Sequence, residues 1–261
     1  MHILLPPSET KRSGGGSVCA ADALAHDTAL RAARGRVRAA LLDLCSGDAE
    51  AAAKALKLGV KNRDELLHNL RLDSAGAMPA IERYTGVLYD ALGAASLDSG
   101  ARSWLGSHVS VQSALFGLLS ADDAIPAYRL SASSRLPALC SPLARVWAAA
   151  HAAIDWSAFG WVLDLRSKDY AGLAPLPVDA GHRLHIVQRV DGGEVRALNH
   201  FNKAAKGDLV RRLAESDAAL DSPHDLLDWA RGTGLELFEG PAPGELTLVT
   251  TLGAPTQAIL T

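Results

Sequence analysis

The sequence has no apolar run long enough to span a bilayer and no basic, apolar, small-residue leader pattern, so neither a membrane protein nor an exported one is expected. The expected compartment is the cytoplasm. Cysteine is scarce: Cys19, Cys45 and Cys140 are far apart, odd in number and outside any Cys-x-x-Cys pattern, which argues against a disulfide framework or a zinc site. Aromatic residues make up only 5% of the chain, leaving few platforms on which single-stranded bases could stack. There is no excess of positive charge either. A formal net charge of −3 excludes a protein that holds polyanions by bulk attraction, so any nucleic-acid surface must be local.

Several chemistries are missing as well. The glycine run Gly14-Gly15-Gly16 follows a strand but lacks the Gly-x-x-x-x-Gly-Lys-Ser/Thr pattern of a nucleotide loop, and it reads as a mobile loop. No paired carboxylates or Ser-His-Asp set suggest hydrolysis. Nine histidines are scattered, and His182 with His185 lacks a third ligand, so no metal and no cofactor are expected.

What is present begins with a length of 261 residues, enough for a sizeable core, and 48% hydrophobic residues. Ile3-Leu4-Leu5 reads as a buried strand cut off by Pro6-Pro7. Leu30, Val37, Leu41, Leu42 and Leu44 recur at helical spacing between Asp27 and Cys45. Ser46-Gly47-Asp48 then ends that helix and starts another, running to about Leu58. Leu58-Gly59-Val60 joins it to a helix from Arg63 to Leu70, with Gly59 expected as a left-handed cap. That turn has the pattern of a helix-hairpin-helix, whose amides contact phosphates without reading sequence, although from the residues alone an ordinary helical turn is the commoner reading. Lys54, Lys57, Lys61, Arg63 and Arg71 make this segment locally basic.

Ile81 to Leu92 reads as one helix, and the stretch from Trp104 to Leu119 as a short strand and turn. A helix near Pro142 to Ile154 precedes a buried strand, Trp161 to Leu165. His185 to Val190 and Glu194 to Leu198 form a hairpin about the turn Asp191-Gly192-Gly193. Lys203 and Lys206, three apart, then lie on one face near a helix start, where free amides and the helix dipole favour an anion. From spacing alone, a solvated helix face competes with that reading. A helix from Pro223 to Thr233 and strands at Leu235–Phe238 and Glu245–Thr250 close the chain. With no repeat and no linker, one domain over 1–261 is expected. Its fold class is α+β: a mixed β-sheet core flanked by helices, with a small helical lobe at about 27–72.

Five ordered blocks carry a resemblance. They are Ile3 to Lys11, Tyr84-Thr85-Gly86 to Tyr89, Ser113 to Leu119 with Pro126-Ala-Tyr128-Arg129-Leu130, Leu163 to Tyr170, and Phe201 to Gly207. Together they resemble the YaaA family of bacterial peroxide-stress proteins over nearly the whole chain. The resemblance implies a fold described for that family alone, a helix-hairpin-helix, a positively charged cleft, binding of duplex or distorted DNA, and protection from peroxide damage. Carried across, the implied DNA or anion site comprises Ser8, Thr10, Lys11, Lys57, Gly59, Lys61, Tyr84, Tyr128, Arg129, Ser167, Lys168, Tyr170, Lys203 and Lys206. In the DNA reading the tyrosines and Arg129 stack on or beside an exposed base. The alternative is an enzyme acting on a small anionic or nucleobase-containing substrate, with Lys203, Tyr170 or Lys11 as the acid or base. The sequence sets no oligomeric state.

Overall fold

The computed structural model describes residues 1–16, 18–189, 195–197, 202–216 and 218–250. The strands are β1 (His2–Leu5), β2 (Met78–Pro79), β3 (Val109–Ser113), β4 (Gly117–Ser120), β5 (Ala124–Ile125), β6 (Val162–Asp164), β7 (Gly181–Arg189), β8 (Val195–Ala197), β9 (Leu237–Glu239) and β10 (Glu245–Thr250). The helices are α1 (Asp27–Ser46), α2 (Ala49–Ala55), α3 (Leu66–Leu70), α4 (Ala80–Arg83), α5 (Val87–Leu92), α6 (Ser99–His108), α7 (Leu143–His151), α8 (Lys168–Ala171), α9 (Asn202–Ser216) and α10 (Pro223–Gly232). The main sheet runs β4-β3-β1-β6-β7-β10-β9, with β8 on β7, and β2 pairs with β5 apart from it. This is the mixed α+β architecture anticipated from the sequence.

The five inner strands β3, β1, β6, β7 and β10 are mutually parallel, while β4, β8 and β9 pair antiparallel. Ile3, Leu4, Leu5, Leu163, Val109 and Val111 are all fully buried, as expected of parallel strands covered on both faces. From β1 the chain passes to β3 on one side, and it later returns to β6 on the other side of β1. The carboxyl ends of β1 and β6 therefore border a crevice, the place where open sheets of this kind bind ligands. The start of β7 pairs with β6 and its end with β8 on the same edge, so β8 extends the sheet past the end of β6. The turn Asp191-Gly192-Gly193 and the stretch Asn199 to Phe201 lie outside the described residues.

Several elements depart from the sequence reading. The left-handed cap of α2 is Lys57, at φ 56, whereas Gly59 has φ −72. Leu58 N–H bonds to Ala53 O at 2.8 Å and Lys57 N–H to Lys54 O at 3.2 Å, which closes a Schellman motif two positions before Gly59. The following segment is a 3-10 turn, Val60–Glu65, leading into the five-residue α3. The helix expected from Ile81 to Leu92 is broken: Tyr84 is extended and Gly86 sits at φ 95, a conformation that side chains avoid. Trp104 to His108 close a helix, α6, that the sequence reading missed.

The glycine loop is pinned rather than free. A Cβ on Gly15 would lie 2.5 Å from the Gly76 backbone, and the fully buried Arg83 donates to the carbonyls of Arg12, Gly14, Gly76 and Ile125. Arg83 thus ties the loop to α4 through carbonyl dipoles.

Helices α5 and α9 pack along each other at the crevice. Their closest approach is at Gly207, where a Cβ would fall 2.1 Å from Leu88 O. Substituting Gly207→Ala is expected to cost about 1–3 kcal/mol by forcing the helices apart. Gly35, exposed within α1 with no heavy atom near its missing Cβ, gives the opposite sign: Gly35→Ala should stabilise by roughly 0.5–1 kcal/mol. Urea denaturation of both variants checks the pair, and equal effects at the two positions would contradict the close approach.

Candidate functional site

A cavity of about 640 Å³ occupies the crevice. Four segments build its wall: Pro6 to Thr10 leaving β1, Thr85 to Tyr89 entering α5, Ser167 to Tyr170 beyond β6, and Asn202, Lys203 and Lys206 at the start of α9. Ser131, Ala132 and Ser133 complete the rim. The proline pair turns the chain off the sheet immediately after Leu5, which places the hydroxyls of Ser8 and Thr10 at the cavity. Thr85 Oγ1 lies 3.1 Å from Thr10 Oγ1, and Thr10 Oγ1 donates to Thr85 O at 3.3 Å. Gly86 lies below them, where a Cβ would come within 3.3 Å of Ser8 Oγ.

Beneath this wall lies a buried polar floor. Tyr84 OH and Tyr128 OH are 2.8 Å apart, and Tyr128 OH is 2.8 Å from Ser113 Oγ, which also accepts the amides of Leu115 and Phe116. Tyr89 OH donates to Pro6 O at 2.7 Å and so fixes the turn after β1. Burial pushes the phenols of Tyr84, Tyr89, Tyr128 and Tyr170 up, so all four stay protonated near neutrality.

Lys11 lies within the floor. Its Nζ donates to Ser8 O and Glu9 O at 3.0 Å each, and it stands 4.2 Å from the centre of the Tyr128 ring. Burial, and then the Arg129 charge, lower its pKa to about 7. The two carbonyls and the ring face favour the ammonium form, which suits Lys11 to bracing the Ser8–Thr10 turn. Lys206 is different, because it lines the cavity. Its Nζ donates to Leu165 O at 2.7 Å, and burial lowers its pKa to about 8, with Arg183 and Lys203 adding to the fall and Asp164 opposing it. Lys203, read from the sequence as a candidate acid or base, also lines the cavity but is exposed, and the largely buried amines are those of Lys206 and Lys11.

Other expected contacts are redirected. Tyr84 and Tyr128 are each only 2% exposed, with no ring face open to a base. Arg129 is buried too, and its guanidinium is held by Glu9 Oε2 at 3.0 Å and Glu65 Oε2 at 3.1 Å. The stacking role read for these three residues is therefore replaced by a supporting one: they shape the floor. Ser8, Thr10, Ser167 and Tyr170 line the cavity, whereas Lys168, Gly59 and Lys61 do not and are exposed. Lys57 reaches the rim, with its Nζ 3.0 Å from Ser133 Oγ.

Some contributors escaped the sequence reading. Glu9 and Glu65 anchor Arg129, and Asn69, fully buried on α3, pairs with the Arg129 backbone: Arg129 N–H donates to its Oδ1 at 2.7 Å, and its Nδ2 donates to Arg129 O at 2.9 Å. Asn69 latches the helical lobe to the site. Its one sequence signal was a polar residue three positions after Leu66 on the buried face of a short helix. Ser131 and Ser133 sat unremarked in the polar run after Leu130. Among the described residues no group of three or more His, Cys, Asp or Glu is arranged to hold a metal ion.

Lys11 gives a pH signature. The folded amine releases its proton near pH 7 and the unfolded one near 10.5, so between these values unfolding takes up a proton and stability rises with pH. The burial penalty applies in full below pH 7 and fades toward pH 10.5. Compared with Lys11→Met, the wild type should gain up to about 1.4 kcal/mol of stability per pH unit across this window. Urea denaturation at pH 7.5 and 9.5 measures it, and parallel profiles for the two proteins would show an ordinary amine.

The sequence matches the family described as "Peroxide stress protein YaaA" over residues 1–238. A UPF0246 protein of Streptomyces coelicolor is 38% identical over 247 residues, covering 94% of this chain and 95% of its own. A UPF0246 protein of Corynebacterium glutamicum is 37% identical over 255 residues, covering 95% of this chain and 100% of its own. Another, from Corynebacterium efficiens, is 36% identical over 247 residues, covering 92% and 96%. The matched span contains β1, α5, β6 and α9, the four elements whose ends build the cavity. The chain belongs to the peroxide stress protein YaaA family.

Proposed function

We propose that the protein acts in the peroxide stress response by binding distorted DNA, with phosphates held by exposed lysines and one unstacked nucleotide unit entering the cavity. The observation that carries this reading is the contact of Lys57 with Ser133. It brings the basic α2–α3 segment to the rim of a cavity that Lys203 also lines, so a backbone held by Lys57 and Lys203 passes over the mouth. Exposed lysines suit phosphate because their flexible stems contact it without reading sequence. The interior suits a sugar or base edge, since Ser8, Thr10, Thr85, Ser167 and Tyr170 offer hydroxyl donors and acceptors. In this reading α2 and α3 serve as a helix-hairpin-helix, with the Gly59–Val60 amides at its tip.

The cavity also supports a second reading, an enzyme for a small anionic or nucleobase-containing substrate. Its volume lies in the range of small-molecule sites, and Lys206 brings an amine with a lowered pKa to it.

The test is fluorescence anisotropy with labelled duplex, nicked and looped DNA over a salt series. Distorted duplexes should bind tighter, with affinity falling steeply as salt rises. Lys57→Ala and Lys203→Ala should each lower the slope of log affinity against log salt by about 0.9, while Lys203→Arg retains it. Salt-insensitive binding, or displacement of DNA by a free mononucleotide at equal concentration, favours the small-substrate enzyme instead.

A further inference from the structure

We propose that Lys206 is a carbonyl-capturing amine that forms an imine with an aldehyde placed in the cavity. The aldehyde that suits this site is the ring-opened sugar of an abasic nucleotide in DNA. The choice of sugar rests on the DNA-binding reading above.

The placement of the amine carries the argument. The stem of Lys206 leaves α9 between the buried Ala205 and Gly207, and its Nζ is steadied by Leu165 O at 2.7 Å, at the end of β6. Among the described residues no carboxylate forms an ion pair with it, unlike Arg129 and Arg166, whose charges are neutralised by neighbouring acids. Among the described residues the amine therefore stands at a cavity wall with no carboxylate paired to it, and the one acidic charge that acts on it, Asp164, does so from a distance. Its pKa of about 8 leaves a useful fraction uncharged near neutrality, and only the uncharged amine is a nucleophile. The other two lysines of the site are less suited: Lys11 is held by two carbonyls under the loop and does not line the cavity, and Lys203 is exposed to water. Lys203 is better placed to hold a phosphate beside the sugar. A base-free sugar also fits the lining, which offers the hydroxyls of Ser8, Thr10, Thr85 and Ser167.

The chemistry needs no oxidant or metal. The Nζ lone pair adds to the C1′ aldehyde carbon, and the ammonium proton formed passes to a carboxylate, for which Asp169 lines the same cavity. The carbinolamine oxygen takes up a proton and leaves as water, giving the C=N bond. The protonated imine acidifies C2′–H. Removal of that proton by the carboxylate shifts the electron pair into a new C2′–C3′ double bond, and the C3′–O bond breaks with the phosphate as leaving group. Water then hydrolyses the imine and frees Lys206.

The experiment is reductive trapping. The full chain is mixed with a labelled duplex carrying one abasic site, sodium borohydride is added, and the covalent product is resolved on a denaturing gel and located by peptide mass spectrometry. The expected result is an adduct on Lys206, reduced at least tenfold in Lys206→Ala and in Lys206→Arg, whose guanidinium cannot form the imine. A duplex without the abasic site should give none. Thermal melting and the anisotropy assay on each variant show whether fold and DNA binding persist. Retained DNA binding with no adduct, or with the adduct on Lys203 or the N-terminal amine, overturns the proposal and leaves the DNA-binding reading intact. A second probe, 2-deoxyribose 5-phosphate with borohydride, separates the two in the other direction. Trapping of this sugar on Lys206 by a protein that fails to bind any DNA supports the amine and removes the DNA reading.

Discussion

Parallel strands β1 and β6 lie side by side, but the connections that follow them leave the sheet for opposite flanks, and the rest of the site depends on this divergence. Where two such strands end, nothing in the sheet can fill the space between the departing segments. Pro6-Pro7 and Ser167 form the two lips, and α5 and α9 close the sides. Helix α9 reaches this position only because Gly207 lets it meet the backbone of α5. A methyl group there displaces Lys203 and Lys206 together, since both lie on the same turn of helix.

The second feature is the handling of buried charge. Arg34, Arg83, Arg129 and Arg166 are all buried. Arg83 is surrounded by backbone carbonyls, and Arg34 by three carbonyls with Asp27 at 3.5 Å. These two fasten loops to helices. Arg166 is clamped at both oxygens of Asp164, and Arg129 bridges Glu9 and Glu65. A guanidinium has donors for several such partners in one plane, which makes it the cation that an interior tolerates. Lysine satisfies fewer partners and loses its proton more readily. At this site the arginines serve as braces, and the amines of Lys11 and Lys206 carry the lowered pKa values.

The helical segment α1–α3 is coupled to the site through Asn69, whose amide mimics a strand partner for Arg129. Glu65 from the same segment grips the Arg129 side chain. Because Lys57 also reaches Ser133, a load applied to the α2–α3 loop is transmitted to the segment 129–133 at three points. The position of the loop and the shape of the cavity are therefore linked.

Strands Ile3–Leu5, Trp161–Leu165 and the β7–β8 pairing were legible because apolar runs ended by proline or polar residues record burial directly. The helix from Asp27 was legible through its leucine spacing, Lys203 and Lys206 through their place at a helix start behind a strand, and Ser8, Thr10, Ser167 and Tyr170 through the resemblance to the YaaA blocks. Local pattern failed where distant backbone decides the conformation. Nothing near Lys57 marks it as left-handed in place of Gly59, and it is the distant Gly76, Ala77 and Arg83 that make the triple-glycine loop a fixed element. Composition determined a chain of balanced charge with a local anion-seeking set of lysines, hydroxyls and phenols. Tertiary structure alone decided which of them face the cavity. Burial put Tyr84, Tyr128 and Arg129 into the floor and lowered the pKa of Lys206, because desolvation depends on what surrounds a group in space and not on its neighbours in sequence.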